Sequence, residues 1–394
     1  MGFSQALSGL NAAARNIDVV GNNIANSQTY GFKGSSVQFA DVYAGSKIGQ
    51  GVRVAGVLQD FSSGTLQSTG RAMDLAVNGN GFFRFKQGDH IVFSRNGQLT
   101  MTKDGYLENA SGAKLTGFPA GVGVGGTPQP IQVPSAAMAA NATSKVNATF
   151  NLDATMGTIN RGTTPFDAND PGTYSYANTG TTYDSLGVPH LMTTYFTKTG
   201  ANTWETRVAI DGSQAGTGQL KFDTNGVLDT AGSTFPAVTY NPGGGAATMN
   251  FTLDLDGTTQ FGNDFSLSSL TQNGYTSGQL VGIHFGEDGS VVGSYSNQQS
   301  RSLGTIALAN FRDKAGLEPV GNNAWKETGA SGQPLLGTAG TGKFGTLEGS
   351  ALEASNVDLA SQLVNLIIAQ RTYQANAQTV KVQDHILQST VNLA

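Results

Sequence analysis

Apolar and small residues recur at alternating steps of four and three at both ends of the chain. Near the start, this spacing is kept by Phe3, Leu7, Leu10, Ala14, Ile17, Gly21 and Ile24. Near the end, it is kept by Leu359, Leu363, Leu366, Tyr373, Ala377, Val380, Leu387 and Val391, with Gln370 and Asp384 in the two remaining slots. The spacing is that of a heptad repeat. We call these positions, with the neighbouring Ile367, the heptad seam. The seam predicts helices over residues 1–27 and 351–394, and neither is interrupted by proline.

The predicted C-terminal helix carries more apolar surface than one partner helix can cover. A second apolar row runs beside the seam at Val364, Ile367 and Ile368. Helices of this kind depend on tertiary packing for stability. We expect the two ends to meet each other and then further copies of the chain. The alternative is a terminal helix pair docked only on its own domain. The start of the second helix is predicted from Ser350 and Glu353, which have the spacing of a capping box.

Between the helices the pattern changes to short strands and turns. Residues 28–71 form a mostly irregular, extended connecting segment. Alternation at Met73, Leu75 and Val77, followed by Asn-Gly turns and two phenylalanines, predicts a β-hairpin. Similar turn signals return at residues 96–97, 104–105 and 288–289. They predict a β-rich middle domain built from residues 72–144 and 283–350. The Thr-, Gly- and Asn-rich block 145–282 is predicted as an inserted β-rich outer domain.

The predicted fold is therefore mainly β with α-helical termini, in a nested multidomain chain. The N- and C-terminal helices form a coiled-coil-like inner domain, and the two β-rich domains lie outside it. A nested order brings both ends of the chain together. This is why the two halves of the heptad seam can share one domain.

Composition and scattered chemistry argue against several function classes. Only 12% of the 394 residues are charged, the net charge is −5, and no basic stripe suggests nucleic acid. No apolar run has the length of a membrane span, and no Sec-type signal pattern precedes the first helix. Cysteine is absent, so packing must stabilise the fold. We expect no catalytic, cofactor or metal site.

The residues that could carry chemistry are isolated. The histidines lie far apart, at His90, His190, His284 and His385. The acidic stretches 167–172 and 254–257 could in principle hold calcium. Neither has a complete EF-hand loop, so ordinary turns are the better interpretation.

Motifs at both ends resemble a known family. They comprise residues 8–13 (SGLNAA), 20–26 (VGNNIAN), 30–33 (YGFK), 356–359 (NVDL) and 369–376 (AQRTYQAN). Together with residues 94–97 (SRNG) and 115–117 (LTG), they resemble bacterial flagellar rod and hook proteins. Within that axial family, residues 183–187, 274–278, 308–311 and 320–323 are most similar to the hook members. Rod members lack the inserted block.

The resemblance implies a structural subunit that assembles into the helical tube of the flagellar hook. The tube would act as a flexible universal joint that transmits torque from rod to filament. The implied partners are further copies of the chain, the rod, the hook cap, the hook–filament junction proteins and the flagellar type III export apparatus. No cofactor, nucleic acid or membrane insertion is implied. The implied location is extracellular, in the flagellar hook and basal body, after export without a cleaved signal peptide.

Three further interpretations stay open. Phe39 and Tyr43 are similar to an export-recognition element, with an ordinary packed aromatic pair as the alternative. Uncharged amides on the second helix are suited to line a channel, with a solvated helix face as the alternative; they are Gln370, Gln374, Asn376, Gln378 and Gln383. A distal rod-type axial protein and, less favoured, a secreted β-rich adhesin are the alternative functions. Assembly into tubes would separate the adhesin from the others.

Overall fold

The computed structural model of the chain describes residues 2–42 and 49–391. It contains two compact units. The first unit is built from Met1–Ser135, Gly282–Ser294 and Ser300–Ala394, and the second from Ala136–Val281 and Tyr295–Gln299. Most of the regular secondary structure in the described chain is strand, with one α-helix at each end. The predicted fold class, mainly β with helical termini, is thus confirmed.

The strands are numbered in chain order. Those before the second unit are β1 (Ser35–Asp41), β2 (Val52–Gln59), β3 (Leu66–Ser68), β4 (Leu75–Asn78), β5 (Phe82–Gln87), β6 (His90–Ser94), β7 (Thr100–Met101), β8 (Leu107–Glu108), β9 (Lys114–Pro119) and β10 (Gln129–Pro130). Those within the second unit are β11 (Val146–Asp153), β12 (Tyr176–Tyr183), β13 (Pro189–Gly200), β14 (Thr203–Ile210), β15 (Ser213–Lys221), β16 (Ala237–Tyr240), β17 (Met249–Asp254), β18 (Thr259–Phe261) and β19 (Ser266–Gln272). The remaining strands are β20 (Leu280–Phe285), β21 (Ser290–Tyr295), β22 (Ser300–Ile306), β23 (Leu308–Asn310), β24 (Glu318–Gly321), β25 (Ala324–Lys326), β26 (Leu335–Gly337), β27 (Thr346–Gly349) and β28 (Ala351–Glu353).

The first unit is organised around one large sheet in the order β20-β21-β22-β9-β5-β6-β25-β24. Its aromatic core is compact, with Phe82, Phe93, Phe311 and Trp325 almost completely buried. Phe61, from the segment predicted to be irregular, packs edge-on against Phe82 and Trp325, with ring centroids 5.7 and 5.4 Å apart. Strands from both halves of the chain are therefore needed to close this core.

Two local predictions for this unit are wrong, and one is confirmed. The strands on either side of residues 78–81 do not pair with each other, because β4 pairs with β27 and β5 pairs with β6. Residues 28–71 are not simply irregular, since β1 and β2 form an antiparallel hairpin. The turn at residues 104–105 does join the paired strands β7 and β8. The turn signals thus identified the strand partners at residues 104–105 but not at residues 78–81.

The second unit has its own core between two sheets. One sheet has the order β12-β13-β14-β15, and the other has β16-β17-β11-β18 with β19 beside β11. Alternate residues of these strands point inward and bury Phe150, Phe196 and Trp204 with the aliphatic residues around them. All residues of this core come from the inserted block, so the unit can be stabilised by its own contacts.

The terminal helices are α1 (Gly2–Ala25) and α2 (Leu359–Val391). The predicted start of the second helix is wrong. Ser350 has a φ of +57°, which is not a helix N-cap conformation, and the residues after it form β28. The helix instead begins after Asp358, whose Oδ1 accepts a hydrogen bond from the Ser361 N–H at 2.7 Å. That backbone hydrogen bond lowers the pKa of Asp358.

Candidate functional site: the terminal helix pair and its buried junction

The two terminal helices pack against each other in antiparallel fashion. A Cβ placed on Gly9 would lie 2.7 Å from Oδ1 of Asn376, so only glycine permits this approach without a shift. Farther along, Nδ2 of Asn23 donates to Oε1 of Gln362 at 3.4 Å. The residue numbers of both pairs sum to 385, which requires antiparallel helices in constant register. Residue 383 then lies opposite Gly2, and α2 continues beyond the start of α1.

The contact between the helices uses a stripe next to the heptad seam. On α1, this stripe contains the buried residues Ala6, Ala13, Val20 and Asn23. Each precedes a seam position by one residue, which is a rotation of about 100° around the helix. On α2 the only fully buried described residue is Ala369, one position before Gln370 of the seam. The contact within the chain therefore uses mainly small residues beside the seam, and several of the larger seam residues are left exposed.

The structure leaves much of the heptad seam accessible. The exposed large apolar members are Phe3, Leu7, Leu359, Leu363, Ile367, Tyr373 and Leu387. The half-buried members are Leu10, Ala14, Ile17, Ile24, Leu366, Ala377 and Val380. The side chain of Val391 lies outside the described part of the chain. In the second apolar row, Val364 is 55% and Ile368 is 56% exposed. Helix α2 thus presents a broad apolar face that residues 2–42 and 49–391 leave uncovered.

The β1–β2 hairpin packs beside α1. Asn23 forms two hydrogen bonds with Ser35, from its Nδ2 to the Ser35 carbonyl at 2.8 Å and from the Ser35 N–H to its Oδ1 at 2.9 Å. The Val52 N–H donates to Oγ of Ser8 at 3.2 Å. Phe39 lies on β1 with 45% of its surface exposed, whereas Tyr43 is outside the described residues. Their suggested part in export recognition stays a prediction.

A buried cluster of three charges joins the segments next to both helices to the β-sheet region. Lys33 follows α1, Glu353 ends β28, and Arg95 follows β6. Nζ of Lys33 lies 2.7 Å from one carboxylate oxygen of Glu353, and Nε of Arg95 lies 2.6 Å from the other. The three side chains are between 0 and 4% exposed. The Gly64 N–H also donates to the carboxylate, at 2.8 Å.

Burial and the neighbouring charges of the triad shift the pKa values of Lys33 and Glu353. Burial lowers the pKa of Lys33, although the charge of Glu353 opposes that shift. Burial by itself would raise the pKa of Glu353, but the hydrogen bonds and charges of Arg95 and Lys33 outweigh it and lower that pKa. Arg95 makes further hydrogen bonds to the carbonyls of Gly79, Gly81 and Val77. The carboxylate is therefore held in its charged form and fixed at both oxygens.

Several sequence motifs converge around the triad. Gly31 has a φ of +70°, and a Cβ there would lie 2.5 Å from the backbone nitrogen of Asn96. Nδ2 of Asn323 donates to the Tyr30 carbonyl at 3.1 Å, and Oγ of Ser94 donates to the Asn323 carbonyl at 2.6 Å. Residues 30–33, 94–97 and 320–323 thus form one junction. Their short polar and glycine-rich sequences are explained by close packing of backbone on backbone.

The triad was not predicted from the sequence. Lys33 and Arg95 were present in the motifs, and Glu353 was assigned to a helix cap that does not form. The available signal was the placement of a lysine and an arginine beside glycine and aromatic residues in a chain with few charges. That signal indicates burial but not which carboxylate pairs with them, because the three residues are separated by up to 320 positions.

The carboxylates of the two acidic stretches that were considered for calcium accept hydrogen bonds within their own turns. Asp167 accepts a hydrogen bond from the Asn169 N–H, and Asp254 accepts one from the Asp256 N–H, as in ordinary turns. Within the described ranges, no group of three potential metal ligands is found. Among the channel-candidate amides, Asn376 faces α1 through its contact with Gly9. Neither described helix is long and apolar enough to cross a membrane.

Models of known protein families match the sequence at both ends of the chain and in both units. Family models match at residues 4–33 (flagella basal body rod protein), 76–155 (flagellar hook protein FlgE/F/G D1 domain), 151–275 (flagellar basal body protein FlaE D2 domain) and 348–393 (flagellar basal body rod FlgEFG protein C-terminal). The flagellar hook protein FlgE of Salmonella typhimurium is 47% identical, with 100% of both chains covered. The chain belongs to the flagellar hook protein family.

More distant hook proteins match as well, one by sequence and one by structure. The hook protein FlgE of Borreliella burgdorferi is 33% identical, with 98% of each chain covered. The crystal structure of Helicobacter pylori flagellar hook protein FlgE2 covers 73% of this chain and 100% of its own, with a TM-score of 0.57 and 13% identity. At that identity the likeness concerns the fold alone. Membership in the flagellar hook protein family argues against the alternative function of a secreted adhesin.

Proposed function

We propose that this chain is the structural subunit of a bacterial flagellar hook, and that its copies assemble into a helical tube. The observation that carries the proposal is the broad apolar face of α2, in a chain that matches hook proteins along its full length. A stable soluble monomer rarely exposes a row of leucine and isoleucine side chains on one helix. Neighbouring copies would cover that row.

In this proposal, the helix pair forms the inner layer of the tube, and the heptad seam lies between copies. Complete burial of a leucine or isoleucine contributes about 1.5–3 kcal/mol. Leu363 and Ile367 are already half covered in the single chain, so each contributes roughly 1 kcal/mol when a neighbour covers the rest. Repetition along the helix makes the sum sufficient to drive assembly and to order both helices.

The proposed universal-joint action needs stiffness in one place and sliding in another. The buried triad and the junction motifs fix the helix pair to the sheet region of the same unit, so torque passes through the subunit. Exposed Thr-, Asn- and Gly-rich surfaces of the β-rich units exchange hydrogen bonds with water at little net energy. Contacts between such surfaces can therefore change as the tube bends. No catalysis is needed for this function.

Further partners and the route of export belong to the same proposal. The tube would join the rod to the hook–filament junction proteins, grow under a hook cap, and lie outside the cell. The chain would leave through the flagellar type III export apparatus without a cleaved signal peptide. Phe39 remains a candidate recognition residue because it is exposed on β1.

The test is assembly of purified chain, followed by sedimentation and electron microscopy. Leu363→Asp should abolish tubes, because a charge buried without a partner costs several kcal/mol. Leu363→Met keeps the apolar surface and should assemble normally. Leu335→Asp is a matched change at a leucine that is 59% exposed on β26, and it should also leave assembly intact. Normal tubes from Leu363→Asp would contradict the proposed interface.

A further inference from the structure

His190, in the second unit, is held between two carboxylates. Its Nδ1 lies 2.6 Å from Oδ2 of Asp211, and its Nε2 lies 3.4 Å from Oδ2 of Asp184. The side chain is 9% exposed. A neutral imidazole donates from one nitrogen only. Both contacts are attractive only when the ring carries two protons and a positive charge.

Each carboxylate also fixes a turn through its other oxygen. Oδ1 of Asp184 accepts hydrogen bonds from the Leu186 and Val188 N–H groups, at 2.9 and 2.8 Å. Oδ1 of Asp211 accepts one from the Leu191 N–H at 2.9 Å. Asp211 itself has a φ of +49°, an unfavourable backbone conformation that these contacts hold. The imidazole thus connects the turn between β12 and β13 with the turn between β14 and β15.

A third element completes the cluster. Tyr240, at the end of β16, donates from its hydroxyl to Oδ2 of Asp211 at 3.2 Å. Its ring meets that of His190 edge-on, with centroids 5.5 Å apart. The titratable groups that face His190 are therefore Asp184, Asp211 and Tyr240. The carboxylates are the only charged groups among them.

The geometry points to His190 as a protonation-controlled latch that holds the Asp184 turn in place. When the ring is charged, it bridges both carboxylates. When it loses a proton, the nitrogen that remains protonated keeps the shorter contact to Asp211. The other nitrogen then turns a lone pair toward Asp184, and that contact becomes repulsive. The turn that carries Leu186 and Val188, which are 58% and 47% exposed, is thereby loosened.

The direction of the pH effect follows from the surroundings. Burial would lower the pKa of His190, but hydrogen bonds and charges from Asp211 and Asp184 outweigh it and raise that pKa above its ordinary value of 6.5. A raised pKa means that the latch contributes its full stability below pH 6.5 and loses it as the pH rises through the folded value. Burial and Asp211 raise the pKa of Tyr240, so its hydroxyl stays protonated across this window.

The first test is a histidine titration of the full chain as a dilute monomer, with ¹³C-labelled imidazole followed by NMR. The chain has four histidines, and the His190 signal is the one missing from His190→Gln. We expect the His190 signal to titrate above 6.5. A midpoint at or below 6.5 would overturn the latch, whatever the outcome for tube assembly.

The second test is amide hydrogen exchange at Leu186 and Val188, corrected for intrinsic rates. In the native chain, protection should fall as the pH passes the His190 midpoint, and this measurement needs no variant. In His190→Gln, protection at low pH should already be reduced by about tenfold, as expected for loss of a charged hydrogen bond. His284→Gln, at an exposed histidine, is the matched control and should change nothing. Protection that is independent of pH, or equal in His190→Gln, would mean a purely structural histidine.

Discussion

Glu353 is the residue on which the junction between helices and sheet depends most. Its carboxylate is inaccessible to solvent, and its two cationic partners come from segments more than 250 positions away. A buried ion cluster adds little stability compared with a well-packed apolar core, but removal of one member leaves the others without compensation. Here the excess would be two buried positive charges, which makes the site sensitive to a single substitution.

Glu353→Gln should therefore destabilise the first unit by about 3–5 kcal/mol at neutral pH. Native-state hydrogen exchange at Phe93 in the dilute chain measures this unit separately from the second. Glu348→Gln, at an exposed glutamate on β27, is the matched control and should change stability by less than about 0.5 kcal/mol. Equal effects of the two substitutions would contradict the assigned importance of the triad.

The same carboxylate predicts a pH dependence. The pKa of Glu353 is lowered in the folded state, so its contribution is present above the ordinary value of 4.5 and is lost as the pH falls through the folded value. The stability difference between the native chain and Glu353→Gln should shrink in that acidic range. A difference that stays constant down to acid unfolding would show that Glu353 is not charged in the native state.

Among the secondary-structure elements, the two terminal helices keep large apolar side chains exposed in a single chain. The contact between them is made mainly by small residues, whereas Leu363, Ile367 and Ile368 of α2 are exposed. Helices with so little buried surface are marginal in water. Their order should therefore depend on neighbouring copies, unlike that of the sheets.

Hydrogen exchange should show this contrast directly. In dilute monomer, amides from Leu363 to Ile368 should exchange with little protection, and in assembled tubes they should be strongly protected. Amides at Phe93 and Trp325 should be protected in both states because their aromatic core is complete within the chain. Strong protection of residues 363–368 in a verified monomer would count against helix ordering by assembly.

The sequence predicted the helices because their periodicity is long and regular, but it erred where local signals compete with tertiary contacts. The Ser350 and Glu353 spacing fits a capping box, yet Glu353 is drawn into the triad and the helix starts eight residues later than predicted. The Asn-Gly turn at residues 78–81 is real, yet β4 pairs with β27, which follows more than 260 positions later. The triad itself could not be predicted, since no local pattern links Lys33 to Glu353.

In the molecule as a whole, the inserted block is a distinct part because it has a hydrophobic core of its own. All buried residues of the second-unit core lie between residues 146 and 255, and the aromatic core of the first unit uses none of them. The heptad seam also lies entirely in the first unit. Assembly and the shape of the outer layer should therefore be separable properties of the chain.

Replacement of residues 136–281 by a short Gly/Ser linker should leave a chain that still forms tubes. Those tubes should be straighter or otherwise altered in curvature, since the proposed outermost contacts are gone. Electron microscopy of the tubes and motility of cells that carry the variant would report the two effects. Failure to form any tube, with the first unit shown to be folded by circular dichroism, would move the block into the essential contacts of the polymer.

A cryo-EM structure of tubes assembled from the purified chain would show directly which surfaces hold the copies together. We predict that the terminal helices line the inside of the tube, and that Leu359, Leu363, Ile367 and Leu387 are buried between copies. We also predict that the Lys33–Glu353–Arg95 triad is unchanged from the single chain. A tube held together by the β-rich units, with these four side chains still exposed to solvent, would contradict assembly through the terminal helices.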